Sequence, residues 1–161
     1  MLPKEQLVEL AFNDTDAFNK EIKSGKGSVD LSETDFSNVD LREIDFSGVD
    51  LNSSSFADSS LSLVNFSGAD LTSVDFTRSS VVECDFTDSL LTGADCSYAQ
   101  MTYCNFAGSD FAGCILSETN LSNSDLTSAE NLASARFDSD TQGFIRGVIF
   151  GDKAEIDETI L

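Results

Sequence analysis

An apolar residue or a cysteine recurs at every fifth position of this chain. The series holds for twenty consecutive units without a slip, at Leu31, Phe36, Leu41, Phe46, Leu51, Phe56, Leu61, Phe66, Leu71, Phe76, Val81, Phe86, Leu91, Cys96, Met101, Phe106, Phe111, Leu116, Leu121 and Leu126. A period of five matches neither the 3.6-residue helical turn nor the two-residue alternation of a strand. The chain must therefore turn once per unit, with each central residue, position i, pointing inward.

The residues around each centre follow a pattern of their own. Position i−2 is small or β-branched in all 20 units, as at Val29 and Thr34. Position i−1 is Asp or Asn in 14 units, and position i+1 is Ser or Thr in 14. These polar residues suit turns. We therefore expect i−2 and i to face a shared core from a short extended segment, and the polar remainder to form a corner.

Strict alternation of Leu and Phe at the centres from Leu31 to Phe76 adds a period of ten. If each coil has an even number of units, Phe centres of successive coils stack on Phe and Leu centres stack on Leu. Four sides of five residues each give separate Phe and Leu columns. Because one coil cannot cover its own top and bottom, neighbouring coils and end caps are required. The predicted fold is all-β: a quadrilateral parallel β-helix of about five coils over residues 29–128.

This pattern resembles the pentapeptide-repeat family, whose unit is a small residue, Asp or Asn, Leu or Phe, Ser, Thr or Arg, then Gly or another residue. Gly68-Ala69-Asp70-Leu71-Thr72 is similar to that unit. The resemblance covers residues 29–128 and implies a right-handed β-helix with four pentapeptides per coil. Bacterial members of the family include quinolone-resistance proteins that resemble DNA in shape and charge and bind type II topoisomerases. Many other members have no assigned role.

Residues 1–28 lie outside the repeat and are predicted to form a helical cap. A first short helix is indicated by Leu7, Leu10 and Ala11. Asp14 is the expected N-cap of a second helix, which Gly25 ends. The stretch Ala17-Phe18-Asn19-Lys20 resembles the helix that precedes the coils in many bacterial family members. We expect both helices to cover the first coil.

The repeat loses its register after Leu126, because Leu132 and Phe137 are displaced by one residue. Residues 129–161 are predicted to form a non-repeat C-terminal cap segment. The stretch 143–150 is too apolar for a free tail. It either covers the last coil or forms a homodimer contact, and the topoisomerase-binding members of the family often dimerise through this end.

The sequence offers little material for catalysis or metal binding. It contains no His, so a Ser-His-Asp site is impossible. Its four cysteines, Cys84, Cys96, Cys104 and Cys114, all fall at inward positions, where thiols act as apolar filler. We therefore expect no enzyme activity, no metal and no cofactor. Because the start of the sequence lacks an apolar signal region and no run is long enough to span a membrane, we expect a cytoplasmic protein.

The chain is strongly acidic, with 9 Lys and Arg against 29 Asp and Glu and a net charge of −20. Residues 28–130 hold eighteen Asp and Glu and two Arg. Five coils spaced by about 4.8 Å span about 24 Å. That gives one net charge per roughly 1.5 Å, against about 1.7 Å for duplex DNA. Two columns of carboxylates are predicted on adjoining sides, Asp30, Asp50, Asp70 and Asp110 on one and Asp45, Asp85 and Asp125 on the other.

This charge repels nucleic acid and anionic membranes and favours a basic protein partner. Two functions remain open. In the first, the rod is a non-catalytic scaffold or regulator, and its contacts with a protein partner lie at apolar exceptions to the polar exterior, Leu63, Leu90, Tyr98, Tyr103 and Ile115. In the second, the rod is a DNA mimic that binds DNA gyrase or topoisomerase IV and modulates it or protects it from quinolones.

Overall fold

The structure is a computed structural model that describes residues 2–25, 29–138 and 140–141. Two helices, α1 (Lys4–Asn13) and α2 (Thr15–Ser24), precede four short strands and a 3-10 helix at Leu132–Ser134. The strands are β1 (Asp40–Arg42), β2 (Ser60–Ser62), β3 (Ser80–Val82) and β4 (Gln100–Thr102). They pair in parallel in the order β1-β2-β3-β4, with partners twenty residues apart. The predicted parallel β-helix with N-terminal helices is confirmed.

The coil has four sides, which we name by their central residues. Side 1 carries Leu31 and its successors at twenty-residue intervals, side 2 carries Phe36, the sheet side carries Leu41 and the strands β1–β4, and side 4 carries Phe46. Sides 1, 2 and 4 pair through single parallel bridges, again between residues twenty apart. Every predicted centre from Leu31 to Leu126 is at most 4% exposed. The five-residue period therefore builds one continuous dry core.

Two columns of phenylalanine fill most of this core. On side 4, Phe66, Phe86 and Phe106 stack nearly parallel with centroids 4.9 and 4.8 Å apart. On side 2, Phe56 and Phe76 stack at 5.3 Å. Rings of the two columns meet edge to face across the interior at 5.6 to 6.0 Å. Parallel offset stacking along a column and edge contacts across it are both favourable ring geometries.

The corner of every unit lies at i+2. All of these residues, from Glu33 to Ser128, have φ between +54° and +71°. Such a φ favours Gly, Asn and Asp. At Gly108 an added Cβ would lie 2.2 Å from Oδ1 of Asp88, so a larger residue there would require the Asp88 side chain to rotate away.

The N-terminal helices cover the first coil. The Asp14 side chain accepts a hydrogen bond from the Ala17 N–H at 2.9 Å, as expected of an N-cap, and α2 ends at Gly25. Phe18 is fully buried against Phe46. Asn19 Oδ1 accepts from the backbone N–H of Asp45 at 2.7 Å, and its Nδ2 donates to the Glu43 carbonyl at 2.9 Å. The Asn19 amide therefore completes hydrogen bonds at the exposed edge of the first coil.

The predicted slip of register is also present. Asp110 pairs with Glu130, but Ile115 pairs with Arg136, so the last coil contains one extra residue. The 3-10 helix Leu132–Ser134 absorbs it and keeps Leu132 in the core at 3% exposure. Parallel pairing thus continues to Arg136. The apolar stretch 143–150, for which a cap or a dimer contact was expected, lies outside the described residues.

Candidate protein-interaction surfaces

Asp and Asn at i−1 close the turns of the coil. Oδ1 of Asp50 accepts the N–H of Asn52 at 3.0 Å, two residues further along the chain. The same bond is made by Asp30, Asp35, Asp45, Asn65, Asp70, Asp75, Asp85, Asp95, Asn105, Asp110, Asn120 and Asp125. Since the Asn residues bond in the same way, this hydrogen bond needs an oxygen acceptor and not a charge.

The first acidic column runs along side 1. It comprises Asp30, Asp50, Asp70 and Asp110, linked by parallel bridges and continued by Glu130. Leu90 replaces the carboxylate between Asp70 and Asp110. Asp30 is exposed and the other three Asp residues are half-buried. Stacked coils hold neighbouring rungs about 4.8 Å apart, so the column is a regular line of carboxylates at the surface.

The second acidic column runs along side 4 and differs from the prediction at its first residue. Asp45 is only 9% exposed, because α2 covers it. Its carboxylate accepts from Asn65 Nδ2 at 3.1 Å and lies 3.9 Å from Lys23 Nζ. Asp45 therefore belongs to the contact with the cap and does not display an open charge. Asp85 is half-buried and Asp125 exposed.

Carboxylates alternate with amides along side 4, in the order Asp45, Asn65, Asp85, Asn105, Asp125. The amides bridge neighbouring coils: Asn65 Nδ2 binds Asp45, and Asn105 Nδ2 donates to Thr87 Oγ1 at 2.9 Å. An amide on alternate rungs keeps the carboxylates two coils apart, and so reduces their repulsion.

A third group of stacked carboxylates lies on side 2 and was not singled out from the sequence. Asp75 and Asp95 are bridged directly, in the same column as Asp35. The sequence could have indicated this column, because Asp35, Asp75 and Asp95 all occupy position i−1. Hydrogen bonds keep several of the surface carboxylates ionised: the Ser37 backbone N–H lowers the pKa of Asp35, and the Ser32 and Thr127 hydroxyls lower the pKa of Asp30 and Asp125.

Few cations neutralise these columns. Within the described residues of the coils, Arg42 pairs with its neighbour Glu43 at 3.0 Å, and Arg78 binds Asp58 of the preceding coil in bidentate fashion at 2.6 and 2.7 Å. Both arginines lie on or beside the sheet side. No carboxylate of the first acidic column takes part in an ion pair among the residues that the structure describes.

The predicted apolar contacts fall on different sides of the coil. Leu90 is 45% exposed and interrupts side 1. Ile115 is only half-exposed, in the column of side 2. Leu63, Tyr98 and Tyr103 are corner residues that bound the sheet side. Sequence reasoning missed one exposed aromatic residue, Phe12 of α1, because its position relative to the first coil depends on how the cap docks.

The four cysteines are buried and free. The sulfurs of Cys96 and Cys114 lie 3.9 Å apart, and Cys104 donates to the carbonyls of Val81 and Thr102 at 3.5 Å. A hydrogen bond with Cys114, together with burial, raises the pKa of Cys96, and a hydrogen bond with Cys84, together with burial, raises the pKa of Cys104. Both thiols are protonated at neutral pH, which makes them poor nucleophiles.

Within the described ranges, no three His, Cys, Asp or Glu side chains are grouped so that they could hold a metal ion. Among the same residues, no helix is long and apolar enough to cross a membrane.

Comparison with known families places the chain. Residues 27–95 match the family described as "Pentapeptide repeat region", and residues 104–139 match "Pentapeptide repeats (8 copies)". The protein therefore belongs to the pentapeptide-repeat family, as its motifs indicated. A search of curated proteins gave no match.

Solved structures with the same fold include the pentapeptide repeat protein Rfr23 from the cyanobacterium Cyanothece 51142, at 17% identity and a TM-score of 0.59 over 71% of this chain and 91% of that one. A pentapeptide repeat protein of the Arabidopsis thaliana thylakoid lumen is 30% identical, with a TM-score of 0.45 over 56% of this chain and 63% of that one. The plasmid-mediated fluoroquinolone resistance protein QnrB1 is 15% identical, with a TM-score of 0.37 over 69% of this chain and 78% of that one.

Proposed function

We propose that this protein is a non-catalytic acidic scaffold or regulator that binds a basic protein partner through its stacked carboxylates. The observation that carries the proposal is the turn hydrogen bond at i−1, which fixes each carboxylate of the first acidic column in a regular line at the surface. Fixed charges lose little conformational freedom on binding, so they favour association with a surface of opposite charge.

A binding role suits the remaining chemistry of the chain. Catalysis by acyl or thiol transfer requires a nucleophile beside a base. The sequence has no histidine, and all four cysteines are buried. The large net charge would also steer a basic partner towards the rod before contact. We place this activity in the cytoplasm.

Substitution of Asp by Asn tests the proposal, because it removes the charge and keeps the Oδ1 acceptor. We expect Asp50→Asn, Asp70→Asn and Asp110→Asn together to weaken binding to a basic probe, poly-lysine of defined length, and to leave thermal stability nearly unchanged. The matched control neutralises three acids of the cap helices, Glu9→Gln, Asp16→Asn and Glu21→Gln, and so changes the net charge equally. Equal weakening by both triple variants would mean that binding depends on total charge alone, and would refute a role for the column.

The second candidate function is DNA mimicry directed at DNA gyrase or topoisomerase IV. The supporting observation is the linear charge density of the coils, one net charge per roughly 1.5 Å against about 1.7 Å for duplex DNA. The test is a supercoiling assay with purified gyrase, and a decatenation assay with topoisomerase IV, with and without quinolone. Inhibition or protection that is lost in the triple column variant would support mimicry. No effect of the intact protein on either enzyme would remove this candidate and leave the scaffold role standing.

A further inference from the structure

Two of the four buried cysteines are direct neighbours on successive coils. On side 4, position i−2 is occupied in turn by Ile44, Val64, Cys84, Cys104 and Ser124. The parallel bridge between Asp85 and Asn105 fixes the register. The Asn105 backbone N–H also donates to the Cys84 carbonyl at 3.0 Å. Cys84 and Cys104 therefore lie side by side, on the coils that carry β3 and β4.

The spacing of this pair suits a disulfide bond. In-register neighbours on parallel strands have Cα atoms about 4.8 Å apart, and disulfides join Cα atoms about 4.4–6.8 Å apart. The Cys104 side chain already leans back towards the preceding coil, since its Sγ lies 3.5 Å from the Val81 carbonyl. The Cys84 Sγ lies 3.7 Å from the Leu61 carbonyl, and its rotation away from that oxygen would bring the two sulfurs together.

The second cysteine pair lacks this spacing, although its sulfurs are close. Cys96 Sγ and Cys114 Sγ lie 3.9 Å apart. The bridge between Asp95 and Ile115 shows, however, that Cys114 lies two residues before the position that pairs with Cys96. Two residues along a strand add roughly 6.6 Å to the separation of about 4.8 Å between strands, so these Cα atoms are roughly 8 Å apart. Cysteines with Cα atoms more than about 7 Å apart cannot be bridged unless the backbone moves.

We propose that Cys84 and Cys104 form a reversible disulfide bond when the protein meets a peroxide, and that this bond ties the coil of β3 to the coil of β4. Both residues are only 2% exposed, so the oxidant must be small, as hydrogen peroxide is. In a reducing compartment the two thiols are free at rest. Disulfides that form in such compartments are usually transient and serve catalysis or redox sensing.

The two thiols differ in how readily they ionise. The hydrogen bond with Cys104 lowers the pKa of Cys84, and the same contact, together with burial, raises the pKa of Cys104. The thiolate is the reactive form of cysteine. Cys84 is therefore the thiol that the peroxide oxidises first, and Cys104 is the thiol that resolves the product.

The reaction balances with hydrogen peroxide as the oxidant. The Cys84 thiolate attacks one peroxide oxygen, the O–O bond breaks, and Cys84 becomes a sulfenic acid while hydroxide leaves. Cys104 Sγ then attacks Cys84 Sγ, the S–O bond breaks, and the Cys104 proton leaves with the hydroxyl as water. The first hydroxide takes up the proton that Cys84 lost on ionising. Two thiols and one hydrogen peroxide thus give one disulfide and two waters, and the two electrons pass from sulfur to oxygen.

Peptide mapping of the full chain after treatment with hydrogen peroxide tests this proposal. The treated protein is unfolded, its free thiols are alkylated, and its fragments are analysed without reduction. We expect a fragment in which Cys84 is joined to Cys104, alkylated Cys96 and Cys114, and a monomer on a non-reducing gel. Dithiothreitol should make all four cysteines available for alkylation again. Because a disulfide constrains the unfolded chain, the oxidised protein should unfold at a higher urea concentration than the reduced protein.

Cys84→Ser and Cys104→Ser separate the roles of the two thiols. Serine occupies the same position in the next coil, at Ser124, so both variants suit the fold. Cys104→Ser should leave a sulfenic acid on Cys84 that dimedone labels when the protein is unfolded, whereas Cys84→Ser should not acquire this label. Neither variant should gain resistance to urea on oxidation. Cys96→Ala with Cys114→Ala is the control that should still form the bond.

Four alkylated cysteines after peroxide treatment would overturn the proposal. A bond between Cys96 and Cys114 would also overturn it, because contact between sulfurs, and not the spacing of Cα atoms, would then decide which pair reacts. Oxidation of Cys84 to a sulfinic acid without a bond to Cys104 would contradict the resolving role of Cys104. None of these outcomes bears on the binding of poly-lysine by the first acidic column.

Discussion

The Phe18 ring of α2 meets the Phe46 ring of the first coil edge-on, with centroids 5.3 Å apart and planes at 71°. Below it, Phe46 and Phe66 stack nearly parallel at 5.5 Å and 14°. Phe12 makes the equivalent edge contact with Phe36 on the other column at 5.5 Å. The cap thus ends both aromatic columns with an edge-on ring, so the parallel stacking along each column stops at the first coil.

Phe18→Ala should therefore destabilise the protein strongly. Loss of a fully buried Phe leaves a cavity over the first coil and costs about 3–5 kcal/mol. Phe12→Ala serves as the comparison, because Phe12 is 44% exposed and loses less buried surface. Chemical denaturation measures both free energies of unfolding. Equal losses for the two variants would contradict the view that Phe18 is the closing contact.

Asn19→Ala should also destabilise the cap, for a polar reason. It removes the acceptor of the Asp45 N–H at a site that is 9% exposed. An unpaired buried N–H costs about 1–3 kcal/mol. Hydrogen exchange at the Asp45 amide should accelerate more than exchange at amides of the middle coils. Asn13→Ala is the control, since the Asn13 side chain binds only the Glu9 carbonyl at the surface, and it should leave exchange at Asp45 unchanged.

Asn65→Asp together with Asn105→Asp should reveal the repulsion that the alternating column avoids. Both changes keep the Oδ1 acceptor for the turn and place carboxylates on consecutive rungs of side 4. Like charges directly opposite each other destabilise by about 0.2–1 kcal/mol per pair. Urea denaturation should show a loss that shrinks as salt is added. A loss of stability that does not change with salt would mean that the two variants are destabilised by the loss of the amide hydrogen bonds and not by repulsion between carboxylates.

The loss of folding stability at low pH should depend on turn carboxylates such as Asp125. The Thr127 hydroxyl and then its backbone N–H lower the pKa of this carboxyl in the folded state. A lowered folded pKa gives stability that is present above the unfolded value of about 3.9 and is lost as the pH falls below it. Asp125→Asn keeps an acceptor that does not titrate. The free energy of unfolding of this variant, measured from pH 7 downward, should therefore fall less steeply below about pH 4 than that of the unchanged protein. An unchanged slope would show that this carboxyl does not contribute.

The thiols of Cys96 and Cys104 should not react with thiol reagents in the native protein. Cys96 and Cys104 have pKa values above the ordinary range, so a thiol reagent such as dithionitrobenzoate should label them only after unfolding. Since unfolded thiols ionise from about pH 8.5, stability is full below that pH and falls as the pH rises above it. Cys96→Ala with Cys104→Ala should flatten this alkaline fall. Rapid labelling of Cys96 or Cys104 in the native protein, located by peptide mass mapping, would contradict their protonated, buried state.

Much of the fold follows from local residue types. Twenty centres without a slip predicted the core positions, and the one-residue displacement at Leu132 predicted the irregular last coil. Asp14 and Gly25 marked the bounds of α2. The acidic columns were predicted less well, because spacing indicates which residues stack but not what covers them. Asp45 was expected at the surface and is instead covered by α2 through Asn19.

The sequence alone determined the period, the number of sides and the identity of each column, because a five-residue repeat leaves every unit the same choice of inward and outward positions. Only the tertiary structure decided which side became a regular sheet, which carboxylate the cap covers and which tyrosines stand at opposite edges of one face. These properties depend on contacts between residues about twenty positions apart or between the cap and the first coil. Such contacts arise from stacking, and no single unit encodes them.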